Sequence, residues 1–319
     1  MITTIIPNYN GMRYLPACIE AMQRQTLPSA LIVVDNGSTD NSLPWLRDLS
    51  QQGILTLIEL GKNTGFAHAV NVGIEAADTP FVLLLNDDTE PTPEMTAYLY
   101  RRIRMSGRNF SVGAKMLSMR EGHPIDDCGD LFCALGWAFS PGRDRDNSWY
   151  NKPVPVTSAC AGAAIYRRDV LKEIGGFDDA HFCYLEDVDV GLRARIHGYR
   201  NLYEPQAVCY HAGSATSGSR YNLFKERLTA ANTVYLLYKN LPDWQLFLNA
   251  PLLLAGFVIK AVYFARKGLG RAYAAGLVDG LRKCAAHADR RVSFTDDKLL
   301  ALCGLQWEYW VNCIRRLAG

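Results

Sequence analysis

The residues with the clearest chemical potential are Asn86, Asp87 and Asp88, which directly follow the apolar run Phe81-Val82-Leu83-Leu84-Leu85. Five apolar residues between Pro80 and a polar cluster predict a strand buried on both faces of a parallel sheet. Adjacent carboxylates at the end of such a strand are costly to hold together unless a cation joins them. Mg²⁺ and Mn²⁺ take oxygen ligands, typically one or two carboxylates plus substrate phosphates. The competing reading is a turn, because Asn-Asp-Asp-Thr followed by Pro91 and Pro93 is good turn chemistry.

A second acidic group, Glu186-Asp187-Val188-Asp189, follows Gly175-Gly176-Phe177-Asp178 and opens a helix. Val188, Leu192 and Ile196 form its inner face, and Gly198 ends it. The helix dipole is expected to keep these first-turn carboxylates ionised. Ordinary helix-start enrichment and an Asp189–Arg193 pair at i,i+4 would account for the same residues. His211 follows the apolar run 207–210; neutral imidazole suits Mn²⁺, although a lone histidine is often a packed residue.

These groups must be positioned by the elements between them. A β-rich run at Thr3–Ile6 stops at Pro7-Asn8-Tyr9-Asn10-Gly11, and a helix follows with Leu15, Ile19 and Met22 on one face. Leu31–Val34 is a second strand ending at Asp35. Asn36-Gly37 then turns the chain, and Ser38, Thr39 and Asp40 are available to cap the next helix. Residues 54–60 give a third strand, and Gly61-Lys62-Asn63-Thr64-Gly65 leads into a helix with Phe66, Val70 and Ile74 inward. Strands alternating with helices predict βαβ units in a doubly wound sheet. Ligands bind beyond the carboxyl ends of such strands. Asn8, Asp35, Lys62 and Asn86 to Asp88 all follow strands, so they converge on one crevice.

The first βα turn lacks the Gly-x-Gly-x-x-Gly dinucleotide fingerprint, residues 61–65 are too short for a Walker loop, and Gly213–Arg220 has glycine spacing without its lysine. An acidic pair without a backbone phosphate cradle points instead to a nucleoside diphosphate held through a bridging metal. Asp35 would then accept a pyrimidine imide N–H, favouring uracil or thymine; as a turn cap it would be equally ordinary.

Composition narrows the classes further. The chain has 319 residues, 49% hydrophobic and 21% charged, with a net charge of +2, so no general nucleic-acid affinity is expected. Nine cysteines without a Cys-x-x-Cys pair indicate neither a disulfide framework nor a zinc ribbon, and fit a reducing cytoplasm. Met-Ile-Thr-Thr-Ile-Ile-Pro has no basic n-region, so a signal peptide is not expected there.

Four motifs then carry a resemblance: Thr4-Ile5-Ile6-Pro7-Asn8-Tyr9-Asn10-Gly11; Val34-Asp35-Asn36-Gly37-Ser38-Thr39-Asp40; Asn63-x-Gly65-Phe66-Ala67 with Asn71-x-Gly73; and Leu85-Asn86-Asp87-Asp88-Thr89. Together they resemble family 2 glycosyltransferases over residues 2–215, and most of all the bacterial rhamnosyltransferase-like group that builds surface polysaccharides. The resemblance implies an α/β GT-A fold, with a mostly parallel sheet, helices on both faces and a C-terminal helical region. A nucleotide-binding half (1–90) and an acceptor half (91–215) would form the catalytic domain. The implied activity is metal-dependent, inverting transfer from a UDP- or dTDP-sugar, dTDP-rhamnose among them, to a lipid-linked or oligosaccharide acceptor in cell-surface glycan synthesis.

Carried onto this sequence, the resemblance makes Asp187 the catalytic base, with Glu186 orienting the site. It places Asp88 and His211 on Mn²⁺ or Mg²⁺, and Pro7, Asn8, Tyr9, Asp35, Lys62, Asn63, Asn86 and Asp87 around the donor. Asn86 departs from a strict Asp-x-Asp, which leaves open how far Asp87 shares the metal. Asp189 is read as structural. Residues 158–166 are expected to form a strand whose Ala161-Gly162-Ala163 admits sugar or acceptor, while Trp137, Trp149 and Tyr150 would stack on sugars or belong to the core. A sugar-1-phosphate nucleotidylyltransferase would need a Gly-rich, Arg-containing loop where this chain has Pro7-Asn8-Tyr9-Asn10. A nucleotide-sugar-binding membrane scaffold without activity is the non-enzyme alternative.

Residues 216–319 are expected to be helical, with a connecting helix at Arg227–Leu241 and another after Thr295. Trp244–Phe264 is apolar apart from Gln245, Asn249 and Lys260, and about long enough to cross a bilayer. Eight Lys and Arg residues from Lys260 to Arg291 face only Asp279 and Asp289. This pattern predicts peripheral attachment to the cytoplasmic face of the inner membrane; a buried helix packed on the catalytic domain is the alternative.

Overall fold

The computed structural model describes residues 1–213 and 221–318, so the glycine-spaced run Gly213–Arg220 lies, beyond Gly213, outside the described residues. Strands β1 (Ile2–Asn8), β2 (Ala30–Asp35), β3 (Thr56–Glu59) and β4 (Phe81–Leu85) alternate with helices α1 (Leu15–Gln23), α2 (Ser42–Gln51) and α3 (Phe66–Ala76). The chain continues through β5 (Thr89–Pro91), α4 (Met95–Arg104), β6 (Asn109–Ser118), β7 (Ile125–Asp127), β8 (Leu131–Cys133) and β9 (Trp137–Phe139). Then come β10 (Val154–Val156), β11 (Ala163–Arg167), α5 (Arg168–Glu173), α6 (Glu186–Ile196) and β12 (Arg200–His211). Four helices complete it: α7 (Leu223–Asn240), α8 (Asp243–Arg266), α9 (Gly270–Ala286) and α10 (Leu299–Leu317).

The main sheet runs β10-β12-β6-β11-β4-β1-β2-β3, with β5 on β12 and β7 on β6. Its β3-β2-β1-β4 half is parallel, and the sheet as a whole is mixed and mostly parallel with flanking helices. The chain leaves β1 toward β2 and β3 and returns to β1's other side with β4, so the strand order reverses between β1 and β4. Asn8 and Asp87 end up on either side of that reversal.

Strand β4 is uniformly apolar because both its faces are covered. Phe81, Leu83 and Leu85 pack with residues of α1, α2 and α4, while Val82 and Leu84 pack with α3, α5 and α6. Burying such a side chain is worth about 1.5–3 kcal/mol, so the strand cannot shift by one residue without losing both layers. α1 buries the stripe expected of it, and α3 buries Val70 and Ile74 while Phe66 stays half-buried at the cavity wall.

Two local expectations are corrected. β3 covers Thr56–Glu59 rather than 54–60. Ser158 makes only an isolated bridge to Asp130 and residues 161–162 turn, with β11 starting at Ala163; the Gly162 carbonyl accepts the Asn86 amide at 2.9 Å. Of the capping candidates for α2, Asp40 acts as expected, its carboxylate accepting the Ser42 amide at 3.0 Å, while the Thr39 and Asp40 amides donate to Asn10 Oδ1 at 2.7 and 3.2 Å.

The C-terminal helices share a core with the sheet domain. Val188, Leu192 and Ile196 of α6 pack with Leu236, Leu237 and Leu253 and with Leu302, Leu305 and Tyr309 of α10. α8 is built with inverted polarity: Gln245 and Asn249 are buried, while Phe247, Leu254, Val258 and Ile259 are exposed. Gln245 donates to the Leu302 carbonyl and Asn249 bonds Gln306, so α8's polar groups are spent on α10. The basic run is partly spent inward too. Lys283 donates to Asn232, Arg290 pairs with Asp178, and Arg291 pairs with Asp243.

Candidate active site

A cavity of about 1800 Å³ runs from the ends of β1 and β4, past the start of α6, to the last turns of α10. Pro7, Asn8, Tyr9, Asn63, Asn86, Asp87, Asp88, Glu186, Asp187 and His211 all line it, so the proposed metal and base positions open onto one space. Trp149 and Tyr150 line it as well, whereas Trp137 lies beneath Lys260 with its ring centroid 5.8 Å from Nζ.

Two expected donor-binding residues are placed otherwise. Asp35 is buried, with Oδ1 accepting the Gly37 and Ser38 amides and Oδ2 accepting Asn8 Nδ2 at 2.8 Å. Its carboxylate is consumed in shaping its own turn and does not line the cavity, so the pyrimidine contact assigned to it is not made available. Lys62 is exposed and also lies off the cavity wall. The residue facing inward is Asn36, which sequence reasoning passed over. Its Nδ2 donates to Asn63 Oδ1 and the Gly65 carbonyl, and its Oδ1 accepts the Thr64 amide and hydroxyl. Asn36 thereby locks the loops after β2 and β3 together.

At the β1–β4 reversal, the Tyr9 amide points to Asp87 Oδ2 at 3.4 Å. A side chain at position 11 would strike that carboxylate and Asn8, which explains Gly11. Burial, reinforced by the Asp88 charge, pushes the Asp87 carboxyl up to about 7. The antiparallel β5–β12 pair sets His211 opposite Thr89, beside Asp88. His211 Nε2 lies 3.2 Å from Asp88 Oδ1, and its Nδ1 lies 2.6 Å from Asp126 Oδ2. Burial opposes charge on this ring, but hydrogen bonds to Asp126 and Asp88 outweigh it and lift His211 to about 10.

The donor set fits a divalent cation. A carboxylate oxygen and an imidazole nitrogen face each other, and a second carboxylate behind the ring fixes its orientation, the usual support for a metal-binding histidine. Asp126 went unrecognised in the sequence, as did Asp127 and Asp130, which also line the cavity. The adjacent Asp126-Asp127 pair after apolar Ile125 repeats the Asp87-Asp88 pattern and was the available signal. Burial pushes Asp127 up to about 7 and Asp130 well above the usual carboxylate range; Arg143, 3.1 Å from Asp126, offsets part of this charge.

Another acidic group, Asp178, His181 and Asp189, has ligand atoms within 4.8 Å of one another. Its centre belongs to a lysine: Lys239 Nζ is 2.6 Å from Asp178 Oδ2 and 3.0 Å from Asp189 Oδ2. Arg193, Tyr235 and Asn240 complete the coordination of these carboxylates, so the cluster is an internal ion network rather than a metal site. Asp189 is structural, and its Arg193 pair is made at 2.6 Å.

Glu186 and Asp187 are not kept ionised by the helix dipole as expected. Burial dominates and raises both, Glu186 furthest, since the Asp187 charge adds to its burial. Asp187 has compensation from the Val188 amide at 2.8 Å and the Ala161 amide, whereas Glu186 Oε2 is buried without a partner. Asp187 is therefore the better compensated carboxyl of the two and Glu186 the one whose charge is least supported.

The chain reaches this pair through Phe182, Tyr184 and Leu185, at φ 63°, 70° and 66°. Non-glycine residues pay for such left-handed geometry only where surroundings enforce it. Here the enforcement comes from α7: Asn232 Nδ2 donates to the carbonyls of His181, Cys183 and Tyr184 at 2.8–2.9 Å. Lys283 Nζ holds Asn232 Oδ1 at 2.6 Å. Gly65, at φ 90°, lets Phe182 pack on the start of α3. Asn232→Leu is expected to cost about 1–3 kcal/mol in unfolding free energy, through three orphaned carbonyls. Its turnover should fall more than its donor affinity; urea denaturation with a kcat and KM comparison checks both.

The chain belongs to glycosyl transferase family 2: the family model of that description matches residues 3–175. The O-antigen chain rhamnosyltransferase RfbN of Salmonella typhimurium is 24% identical over 229 residues, covering 70% of each chain. The low-salt glycan biosynthesis hexosyltransferase Agl10 of Haloferax volcanii is 25% identical, covering 74% of this chain and 77% of that one. Rhamnosyltransferases are thus among its distant relatives, alongside other members of the family. A 34% match to the teichoic acid poly(glycerol phosphate) polymerase of Staphylococcus epidermidis covers 28% of this chain and only 13% of that protein. The fold matches that of the mannosyltransferase PcManGT from Pyrobaculum calidifontis, solved with GDP-Man and Mn²⁺, at TM-score 0.54 and 18% identity over 99% and 86% of the chains.

Proposed function

We propose that this chain is an inverting glycosyltransferase that moves a sugar from a UDP- or dTDP-sugar to a lipid-linked or glycan acceptor in cell-surface glycan assembly. The observation that carries this reading is a single cavity whose wall holds Asp88 and His211 together with a buried Glu186 beside a half-buried Asp187. In this reading Asp88 and His211 hold a Mn²⁺ or Mg²⁺ ion, with Asp126 fixing the imidazole. The ion, when bound, supplies charge neutralisation for a departing diphosphate. Asp187 takes the acceptor hydroxyl's proton while Glu186 stays protonated beside it. Asn86 and Asp87 face the sugar and ribose, and Pro7, Asn8, Tyr9 and Asn63 enclose the nucleotide. With Asp35 withdrawn into its turn, the uridine or thymidine preference rests on the motif resemblance alone, while the rhamnosyltransferase RfbN among the relatives favours rhamnose as the transferred sugar.

Transfer from UDP- and dTDP-sugars is expected to require Mn²⁺ or Mg²⁺ and to fall by about 100-fold or more with EDTA. Activity untouched by chelation would remove Asp88 and His211 from the metal role.

Peripheral membrane attachment is part of the same proposal. The 24-residue α8 is long and apolar enough to cross a membrane, yet Gly256 lies against the Leu135 carbonyl and Leu253 near Gly136. A helix laid along the body in this way favours lying in the bilayer plane over crossing it. Polar groups inward and apolar groups outward suit lipid rather than water. Phe247→Glu with Leu254→Glu is expected to abolish sedimentation with phosphatidylglycerol-containing vesicles while leaving the melting temperature unchanged. Undiminished sedimentation would rule out this face.

A further inference from the structure

The cavity wall is not only acidic. Arg315 and Arg316, in the last turn of α10, line it as well, as does Arg145. The Arg316 guanidinium lies 5.5 Å from the Phe139 ring centroid and that of Arg145 lies 5.1 Å from Trp149. Arg315 Nη1 donates to Asn312 Oδ1 at 3.1 Å. Among the described residues, neither Arg315 nor Arg316 is paired with a carboxylate. Other arginines near the cavity differ: Arg143 is paired with Asp126, and Arg195 with Glu308.

Cations in a helix's last turn also suit its dipole. That accounts for positive charge at this end of α10, but not for two guanidiniums on a cavity wall, one of them seated on an aromatic face. Planar forks held by rings and amides match the oxygens of a phosphate or diphosphate. The opposite face of the same helix carries exposed Trp307, Trp310, Ile314 and Leu317 at i,i+3 and i,i+4 spacing, with exposed Leu300 two turns before them. One helix thus presents an anion site to the cavity and an apolar stripe to the outside.

We propose that Arg315 and Arg316 bind the phosphate or diphosphate of a lipid acceptor, whose hydrocarbon chain leaves along the apolar face of α10. This rests on the transferase reading above and specifies its acceptor class. The sugar carried by that lipid would project toward Asp187, and the donor's diphosphate would stay beside Asp88.

The test uses the full chain and the variant Arg315→Gln/Arg316→Gln, whose two sites are exposed. Farnesyl diphosphate binding in detergent micelles is expected to weaken about 10- to 100-fold, as befits two lost charge-assisted bonds. Farnesol binding and UDP affinity should not change. Arg315→Lys/Arg316→Lys should recover part of the loss. Unchanged farnesyl diphosphate affinity would overturn the proposal. So would an equal loss for farnesol, which marks a packing role, or a parallel loss of UDP, which assigns the arginines to the donor. If the variant only detaches from phosphatidylglycerol vesicles and binds farnesyl diphosphate normally, bilayer headgroups are the partner and the proposal also fails. A wild-type chain that binds farnesyl diphosphate through these arginines yet transfers no sugar would defeat the transferase reading and leave this site standing.

Discussion

Asp187→Asn is expected to lower sugar transfer by about 100- to 10,000-fold, the range a positioned general base contributes, while donor binding stays intact. Asparagine keeps the shape and still accepts the Val188 amide, so the change removes basicity more than architecture. It also removes a half-buried acid. Because burial raises Asp187 and Glu186 above the usual carboxylate range, the native chain binds more protons than the unfolded one above that range. Wild-type stability should therefore fall as pH rises from about 4 through neutrality, and the variant's should fall less. Transfer assays beside thermal melts from pH 5 to 8 check both statements. Near-normal transfer would hand the base role to another cavity acid, Asp127 or Asp130 first. Loss of donor binding in parallel would make Asp187 structural.

Lys239→Met is expected to destabilise the protein by about 3–5 kcal/mol at pH 7, the cost of removing one partner from a buried ion network. Lys239 joins Asp178 and Asp189, and with them the segment before α6, α6 itself and α7. Burial opposes ionisation of both carboxylates. The charges of Lys239 at Asp178, and of Arg193 and Lys239 at Asp189, overcome it and hold each below the usual range. A depressed folded pKa contributes stability above the unfolded value and loses it as pH falls through the folded one. The gap between wild type and Lys239→Met should therefore be full at neutral pH and shrink below about pH 4. Urea denaturation at several pH values measures it. Equal stability at pH 7 would show that Arg193, Tyr235 and Arg290 suffice.

These two variants also separate what each part of the chain does. Asp187 lines the cavity, where the proposed mechanism uses it. Lys239, like Asn232, holds from the C-terminal helices the segment that carries Asp187, so the region after residue 215 helps shape the cavity.

Much of this was written in the order of residues. The apolar run 81–85 could only be a doubly covered strand, and strand ends in an alternating α/β chain must gather on one rim. That predicted one crevice for Asn8, Asp35, Lys62 and Asn86 to Asp88. Asn8 and Asn86 to Asp88 line it, Asp35 and Lys62 do not, and Asp187 was joined to it only by the family resemblance. Folding decided the rest, because it depends on partners far apart in sequence. Asp126 reaches His211 across 85 residues, through strands that pair with β6. Asp35 turns inward because Asn8, 27 residues earlier, takes its free oxygen. The polar stripe of α8 was visible at fourfold spacing, but periodicity cannot say whether a stripe meets water or protein. Only its pairing with α10 put Gln245 and Asn249 inside and the apolar face outside.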